Sequence, residues 1–313
     1  MKKILIPIDE SWFQGGNHYF LAFSKSLEAC NHPEVDFKIC SIDNFNKTNK
    51  YDGILSVRCH LLEEPTITKD INKPIFLYHD DFHFFKFRTF FDSKKFYDIV
   101  DRVDLLFNTY ALNMLSRKKF QPFSNKTYWV PLSVPESIFD LHDINDWSSR
   151  VDKILISGMT GYMYPLRTKI KNSKTLSAQK NIQQLGHGGY SSKSKGIFGD
   201  DYYRYLSKFK GAIVTSGMKP ANFAVMKYFE IPACGCLPFL EDTRELKYLG
   251  FQDGLNCVII NKSNFIEKFK ILDSPVAKEI AKSAHELIRA RHTHQNRANF
   301  IATQISNFFK QRT

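Results

Sequence analysis

No apolar run in this 313-residue chain approaches the ~18–20 residues that a membrane-spanning helix needs. The opening MKKILIPIDE starts as a secretory leader would, but Asp9 and Glu10 end its apolar run too early. It reads instead as a first strand, and a cytoplasmic protein is expected. The six cysteines, at 30, 40, 59, 234, 236 and 257, form no CxxC pair. Cys234 and Cys236 sit two apart in an apolar stretch, which favours buried thiols. Without two-pair ligand spacing no structural zinc is expected, and no other metal or cofactor. Scattered thiols in a chain of this size fit a reducing compartment. Neither half has GxGxxG after its first strand, and there is no GxxxxGK[ST] loop. These absences count against NAD-dependent dehydrogenases and P-loop NTPases.

What is present is ordinary in amount and uneven in distribution. Hydrophobic residues make up 43% and charged residues 24%, as in globular proteins, and the length suits two cores. Net charge is +12. Residues 1–150 hold 19 Lys and Arg against 20 Asp and Glu, whereas 151–313 hold 25 against 12. The whole basic excess therefore lies in the second half. A polyanionic partner is expected there: a nucleotide diphosphate, a nucleic acid, or an anionic membrane surface that would hold the protein peripherally. A merely solvated basic face is the alternative.

In the first half, apolar runs at 3–8, 36–42, 53–59, 73–79, 103–109 and 126–132 are separated by helix-length segments such as 18–29. Strands apolar on both faces, alternating with helices, predict a parallel sheet. The polar stretch 133–151 breaks the rhythm and predicts a domain boundary near 140–152. The second half restarts it, with strands at 152–158, 181–187, 211–217, 236–241 and 256–261. Helices are predicted near 164–170, at 200–209 with Asp200 as cap, and at 222–233 closed by Gly235. A long helix from Ser274, broken near His292–His294, runs to Phe309. The expected fold is α/β: two Rossmann-like, doubly wound parallel-sheet domains facing a central cleft. The first spans 1–145 and the second 152–290. Residues 291–313 form a helix returning to the first domain. Ligands in such sheets bind beyond the carboxyl ends of the strands.

Lys227, Phe229, Glu230, Ala233, Cys234 and Gly235 resemble the donor-domain signature of GT-B glycosyltransferases, in the spore-maturation-type and family-1-like branch. Gly254-Leu255-Asn256, ILISGMTGYMYPLR (154–167), YWVPLSVPESIF (128–139) and HTHQNRANF (292–300) agree with it in order and spacing. The resemblance implies a nucleotide-diphosphate sugar as donor, a glycan or other hydroxyl acceptor, and transfer without a metal. Many retaining members carry a glutamate eight positions before the one matching Glu230. Here that position is Asn222.

Side-chain chemistry supplies the candidate roles. Glu230 can accept from vicinal ribose hydroxyls, and Lys227, one helical turn earlier, can neutralise a phosphate. Lys219 and Arg167 are further diphosphate candidates. Gly158 and Gly161 flank a turn where a backbone can approach a diphosphate or sugar closely. Tyr190, after His187, can stack on a base. In the first half, Gly15 and Gly16 follow the first strand on the acceptor side. His79 ends the strand at 73–79 and Asp80 and Asp81 follow it, where an acid or base would meet the acceptor hydroxyl. His83 stands beside them among aromatics, as an acceptor-groove candidate. Structural roles, such as helix caps, turns and core packing, are the alternative for each. Two other activities stay open: a sugar transferase or binder acting on nucleic acid, and a nucleotide-sugar epimerase of the same fold.

Overall fold

The computed structural model describes residues 1–9, 18–45, 50–57, 72–79, 84–85, 88–89, 94–175, 182–186, 196–217 and 222–312. The chain packs as two compact units. One is Met1–Leu132 with His294–Thr313, and the other is Ser133–Thr293.

The first unit holds strands β1 (Lys2–Ile8), β2 (Val35–Ser41), β3 (Gly53–Ser56), β4 (Ile75–His79), β5 (Leu105–Asn108) and β6 (Thr127–Trp129). They form one sheet in the order β2-β1-β3-β4-β5-β6, with every pairing parallel. Inner strands such as β3 and β5 are buried at every position, while edge strand β2 alternates. Burial on both faces is why these inner runs are continuously apolar. Helices α1 (His18–Glu28), α2 (Lys94–Arg102) and α3 (Ala111–Leu115) belong to this unit. Phe23, Phe37, Phe76, Tyr78, Phe96, Phe107 and Phe120 are among its largest fully buried side chains.

The second unit holds β7 (Val151–Ser157), β8 (Ile182–Leu185), β9 (Phe209–Val214), β10 (Leu237–Glu241) and β11 (Val258–Ile260). They too are all parallel, in the order β8-β7-β9-β10-β11. Its helices include α4 (Pro165–Lys171), α5 (Gly199–Leu206), α6 (Lys227–Ala233) and α7 (Val276–Arg291). Ile154, Ile156, Leu166, Ile213, Phe239 and Ile280 pack in one core, with Trp147 laid against it. Trp147 ties the polar stretch after Leu132 to the second unit.

The last helix, α8 (His294–Lys310), packs with the first unit. Arg297 Nε donates to Pro131 O at 2.8 Å, Lys310 pairs with Glu34 at 2.6 Å, and the Phe308 ring meets Phe76 edge-on at 5.3 Å.

Two local expectations are corrected. Asp200 does not cap α5: the helix starts at Gly199 after Phe198, and Asp200 lies in its first turn, where the helix dipole favours a carboxylate. Helix α6 starts at Lys227 rather than 222. Side chains hold the residues before it instead: Asn222 Oδ1 accepts from Ser216 Oγ at 2.9 Å, and the Ala224 N–H donates to Glu245 Oε2 at 2.6 Å. Those bonds offer the backbone an alternative to a helical ladder.

Candidate functional site

The carboxyl ends of β7, β9 and β10 lie side by side in the second sheet, so the residues that follow them share one edge. Gly158 follows β7 at φ +99°, a conformation that side chains rarely adopt. Two cations converge there. A Cβ placed on Gly158 would lie 3.0 Å from Arg167 Nη1, 3.5 Å from Lys227 Cε and 3.7 Å from Lys227 Nζ. The missing side chain leaves that space open.

Arg167 comes from α4, which starts at Pro165, and it is 3% exposed. Its Nη1 donates to Met159 O at 2.8 Å and its Nη2 to Thr215 O at 3.3 Å. The guanidinium thus links the ends of β7 and β9, and it lies 4.3 Å from the Tyr164 ring centroid. Its buried Nε has no hydrogen-bond partner among the described residues. Gly161 N donates to Thr168 Oγ1 at 2.8 Å, which ties the loop after β7 to α4.

Lys227 opens α6 and is half-buried. Its Nζ stands 5.8 Å from the Tyr202 ring centroid. Burial pushes its pKa down, opposed by the Glu230 carboxylate and reinforced by the Arg167 charge. Burial lowers that of Arg167 as well. Two partly desolvated cations around one glycine repel each other, so an anion placed between them is favoured twice over. Glu230, one turn along α6, is 7% exposed. Tyr202 joins it from α5: its hydroxyl lies 3.0 Å from Ser157 Oγ, and burial together with the Glu230 charge drives its pKa well above normal.

On the other side of Arg167, Ser216 Oγ lies 2.9 Å from Asn222 Oδ1 and 3.5 Å from Glu241 Oε2. Below this edge Glu245, 1% exposed, has its pKa raised by burial from 4.5 to about 7, against the pull of the Ala224 N–H and Arg244. Between those two values the folded carboxyl keeps a proton that the unfolded chain has lost, so stability falls as pH rises through this window. The loss is on the order of 2–3 kcal/mol. Urea unfolding at pH 5 and pH 8 should show this slope in the wild type and a shallower one in Glu245→Gln. Equal slopes would remove Glu245 as its source.

The structure brings Gly158, Gly161, Arg167, Asn222, Lys227 and Glu230 to the carboxyl-end side of one sheet. His79 ends β4 and is 1% exposed, its ring 4.9 Å from that of Phe96. Gly15, Gly16, Asp80, Asp81, His83, His187, Tyr190 and Lys219 lie outside the described residues. Sequence reading passed over Ser157, Tyr202, Thr215, Ser216 and Glu241. One signal was there: both ILISG (154–158) and IVTSG (213–217) end an apolar run in Ser-Gly. Among the described residues no His, Cys, Asp and Glu cluster could hold a metal, and no helix is long and apolar enough to cross a membrane.

Residues 173–303 match the family model described as glycosyl transferase-like, a stretch that includes Lys227 and Glu230. No curated protein matches the chain in sequence. Among solved structures it is similar to a sucrose-phosphate synthase from Thermosynechococcus elongatus (TM-score 0.64, 12% identity, 99% of this chain and 100% of that one). It is also similar to HepE from Anabaena in complex with UDP-glucose (TM-score 0.60, 12% identity, 98% and 100%). A third likeness is to an alpha-glucosyltransferase in complex with UDP-glucose and DNA containing an abasic site (TM-score 0.62, 12% identity, 98% and 99%). Identities this low speak for the fold, which is GT-B. The chain thus has the GT-B fold of two parallel sheets, and its residues 173–303, the Lys227 and Glu230 helix among them, are glycosyl transferase-like in sequence.

Proposed function

We propose that this chain is a glycosyltransferase that takes a nucleotide-diphosphate sugar as donor and moves the sugar to an acceptor hydroxyl without a metal ion. The observation that carries the reading is the convergence of Arg167 and Lys227 on the open space at Gly158. Breaking the bond between the anomeric carbon and the diphosphate builds negative charge on the leaving group. Fixed cations in a partly dry site stabilise that charge where a metal would otherwise be needed. Glu230 then accepts from the ribose hydroxyls, with the diphosphate between it and the far end of Arg167. A uridine donor is the first to try, since HepE and the alpha-glucosyltransferase were both captured with UDP-glucose. Asp80 or Asp81, next in sequence after His79, is the candidate for the acceptor base.

The test is a thermal-shift screen against UDP-, GDP-, ADP- and CMP-sugars. A ligand at 100 times its Kd adds roughly 2.7 kcal/mol of stability. One donor class should stabilise the wild type, and Lys227→Ala and Glu230→Ala should each lose most of the shift. Variants that bind as well as wild type would overturn the reading. Transfer that EDTA abolishes would overturn metal independence. Release of free nucleotide diphosphate and a second sugar with no acceptor added would point to an epimerase.

The charge distribution favours a second reading of the acceptor. With 25 Lys and Arg against 12 Asp and Glu in 151–313, a nucleic acid is a chemically fitting acceptor or partner. Binding to duplex DNA that falls steeply with added salt supports it, and no binding at low salt removes it.

A further inference from the structure

A buried carboxyl holds the entry to α6. Residues 222–226 lead into that helix without a helical or strand ladder of their own. Val225 O and Met226 O accept from the Tyr228 and Phe229 N–H groups, so the first turn, with Lys227 in it, is built directly on this stretch. Ala224 is 4% exposed, and its N–H donates to Glu245 Oε2 at 2.6 Å, from 21 residues along the chain. The far end of α6 is fixed independently. Arg150 Nη1 donates to Cys234 O at 3.0 Å, and His285 Nδ1 to Ala233 O at 2.9 Å. At the entry the side-chain anchors are Glu245 and, two residues before Ala224, the Ser216 hydroxyl at Asn222.

The strength of that anchor depends on the carboxyl's charge. An ionised carboxylate accepts a backbone N–H about twice as strongly as a neutral group does. Protonation would also place an O–H on a buried carboxyl whose Oε1 has no hydrogen-bond partner among the described residues. Burial lifts the pKa of Glu245 to about 7, while the Ala224 N–H and the Arg244 charge draw it down. Tyr228, on α6, feels the charge of Glu245 beside those of Glu241 and Asp242, and its own pKa is raised well above normal, so it stays neutral. Near neutral pH both forms of Glu245 are therefore populated.

We propose that Glu245 is a positioning residue for donor binding: through Ala224 it sets Lys227 in place, and it does so fully only as the carboxylate. This rests on the reading of Arg167 and Lys227 as the diphosphate site. Glu245 touches no substrate; it acts on where the first turn of α6 stands. Donor binding then favours the ionised form, so binding releases a proton and tightens as pH rises through the neutral range. Lys227 acts in the opposite sense. Burial lowers its pKa, so it loses charge as pH rises, and an anion bound beside it draws a proton in.

The test is calorimetric titration of the full chain with UDP-glucose, GDP-glucose and ADP-glucose at pH 6, 7 and 8, a range in which the diphosphate diester of these donors does not titrate. Glu245→Gln keeps the shape and one acceptor but cannot ionise. For the donor that binds, the ratio of wild-type to Glu245→Gln affinity should rise roughly 3–5-fold from pH 6 to pH 8, and Lys227, common to both, cancels in it. At pH 7 the wild type should release part of a proton on binding, seen as a heat that changes with the ionisation enthalpy of the buffer, and Glu245→Gln should not. The wild-type measurement stands alone where the variant fails to fold. A ratio that stays flat or falls with pH overturns the positioning role, as does a wild type that takes up a proton or exchanges none. A Glu245→Gln protein that loses stability yet binds as wild type at pH 8 makes Glu245 a structural residue only, and overturns it too. If none of the three donors binds the wild type at any pH, the diphosphate site itself fails, and the positioning role with it.

Discussion

Gly235→Ala is expected to destabilise the second unit by roughly 2–4 kcal/mol, a large share of the total stability of a domain. Gly235 sits just past α6 at φ +72°, the left-handed conformation that closes a helix. A Cβ there would lie 2.5 Å from Ile144 Cδ1 and 2.7 Å from Arg150 Nη2. Of the two, Arg150 is not free to yield. Arg150 is 6% exposed and donates through Nη1 to Cys234 O at 3.0 Å, so moving it unmakes a buried hydrogen bond. Strain and crowding add, and the entropy gained by stiffening the unfolded chain, about 0.4–1 kcal/mol, offsets only a part. Urea titration measures the loss. Stability within about 0.5 kcal/mol of wild type, the usual range for a bland surface change, would sink this account of the turn.

Arg167→Ala should cost nucleotide-diphosphate affinity on the order of 100-fold, about 3 kcal/mol, the upper range for a hydrogen bond to a charged group. The guanidinium supplies one of the two charges at Gly158 and holds both Met159 O and Thr215 O in place. Arg167→Lys restores the charge without the planar fork, so it should recover only part of the affinity. The readouts are the Kd for the nucleoside diphosphate by calorimetry and the melting temperature of the free protein. A variant that loses stability but binds with wild-type affinity makes Arg167 a structural strut and no more. Equal recovery by lysine would mean that charge alone matters there, and that the link between strand ends contributes nothing.

Much of the architecture was legible because burial on two faces leaves a plain mark. The runs KILIPI, GILS and LLFN are apolar but for Lys3, Ser56 and Asn108 at their ends, as inner parallel strands tend to be, whereas the edge strand IQQL is mixed. The helix of Lys227 and Glu230 was legible from the spacing of its charges and from Gly235 after it. Its start was not. Asn222 to Met226 reads as more helix, yet Ser216 and Glu245 take hold of that stretch from six and 21 residues away. Asp200 looked like a cap for a similar reason: its residue type suits one, but the backbone turned one residue earlier.

The site divides along the same line. Local order along the chain determined that a lysine and a glutamate share a helical turn, that Gly158 follows a strand, and that the basic excess falls in residues 151–313. Only tertiary structure decided that Arg167 and Lys227, 60 positions apart in number, meet at one glycine, and that Ser216 stands between Asn222 and Glu241. The physical reason is the parallel sheet. Each strand returns to the same edge only after a crossover, so residues that touch there are far apart in sequence, and no local pattern records which of them will meet.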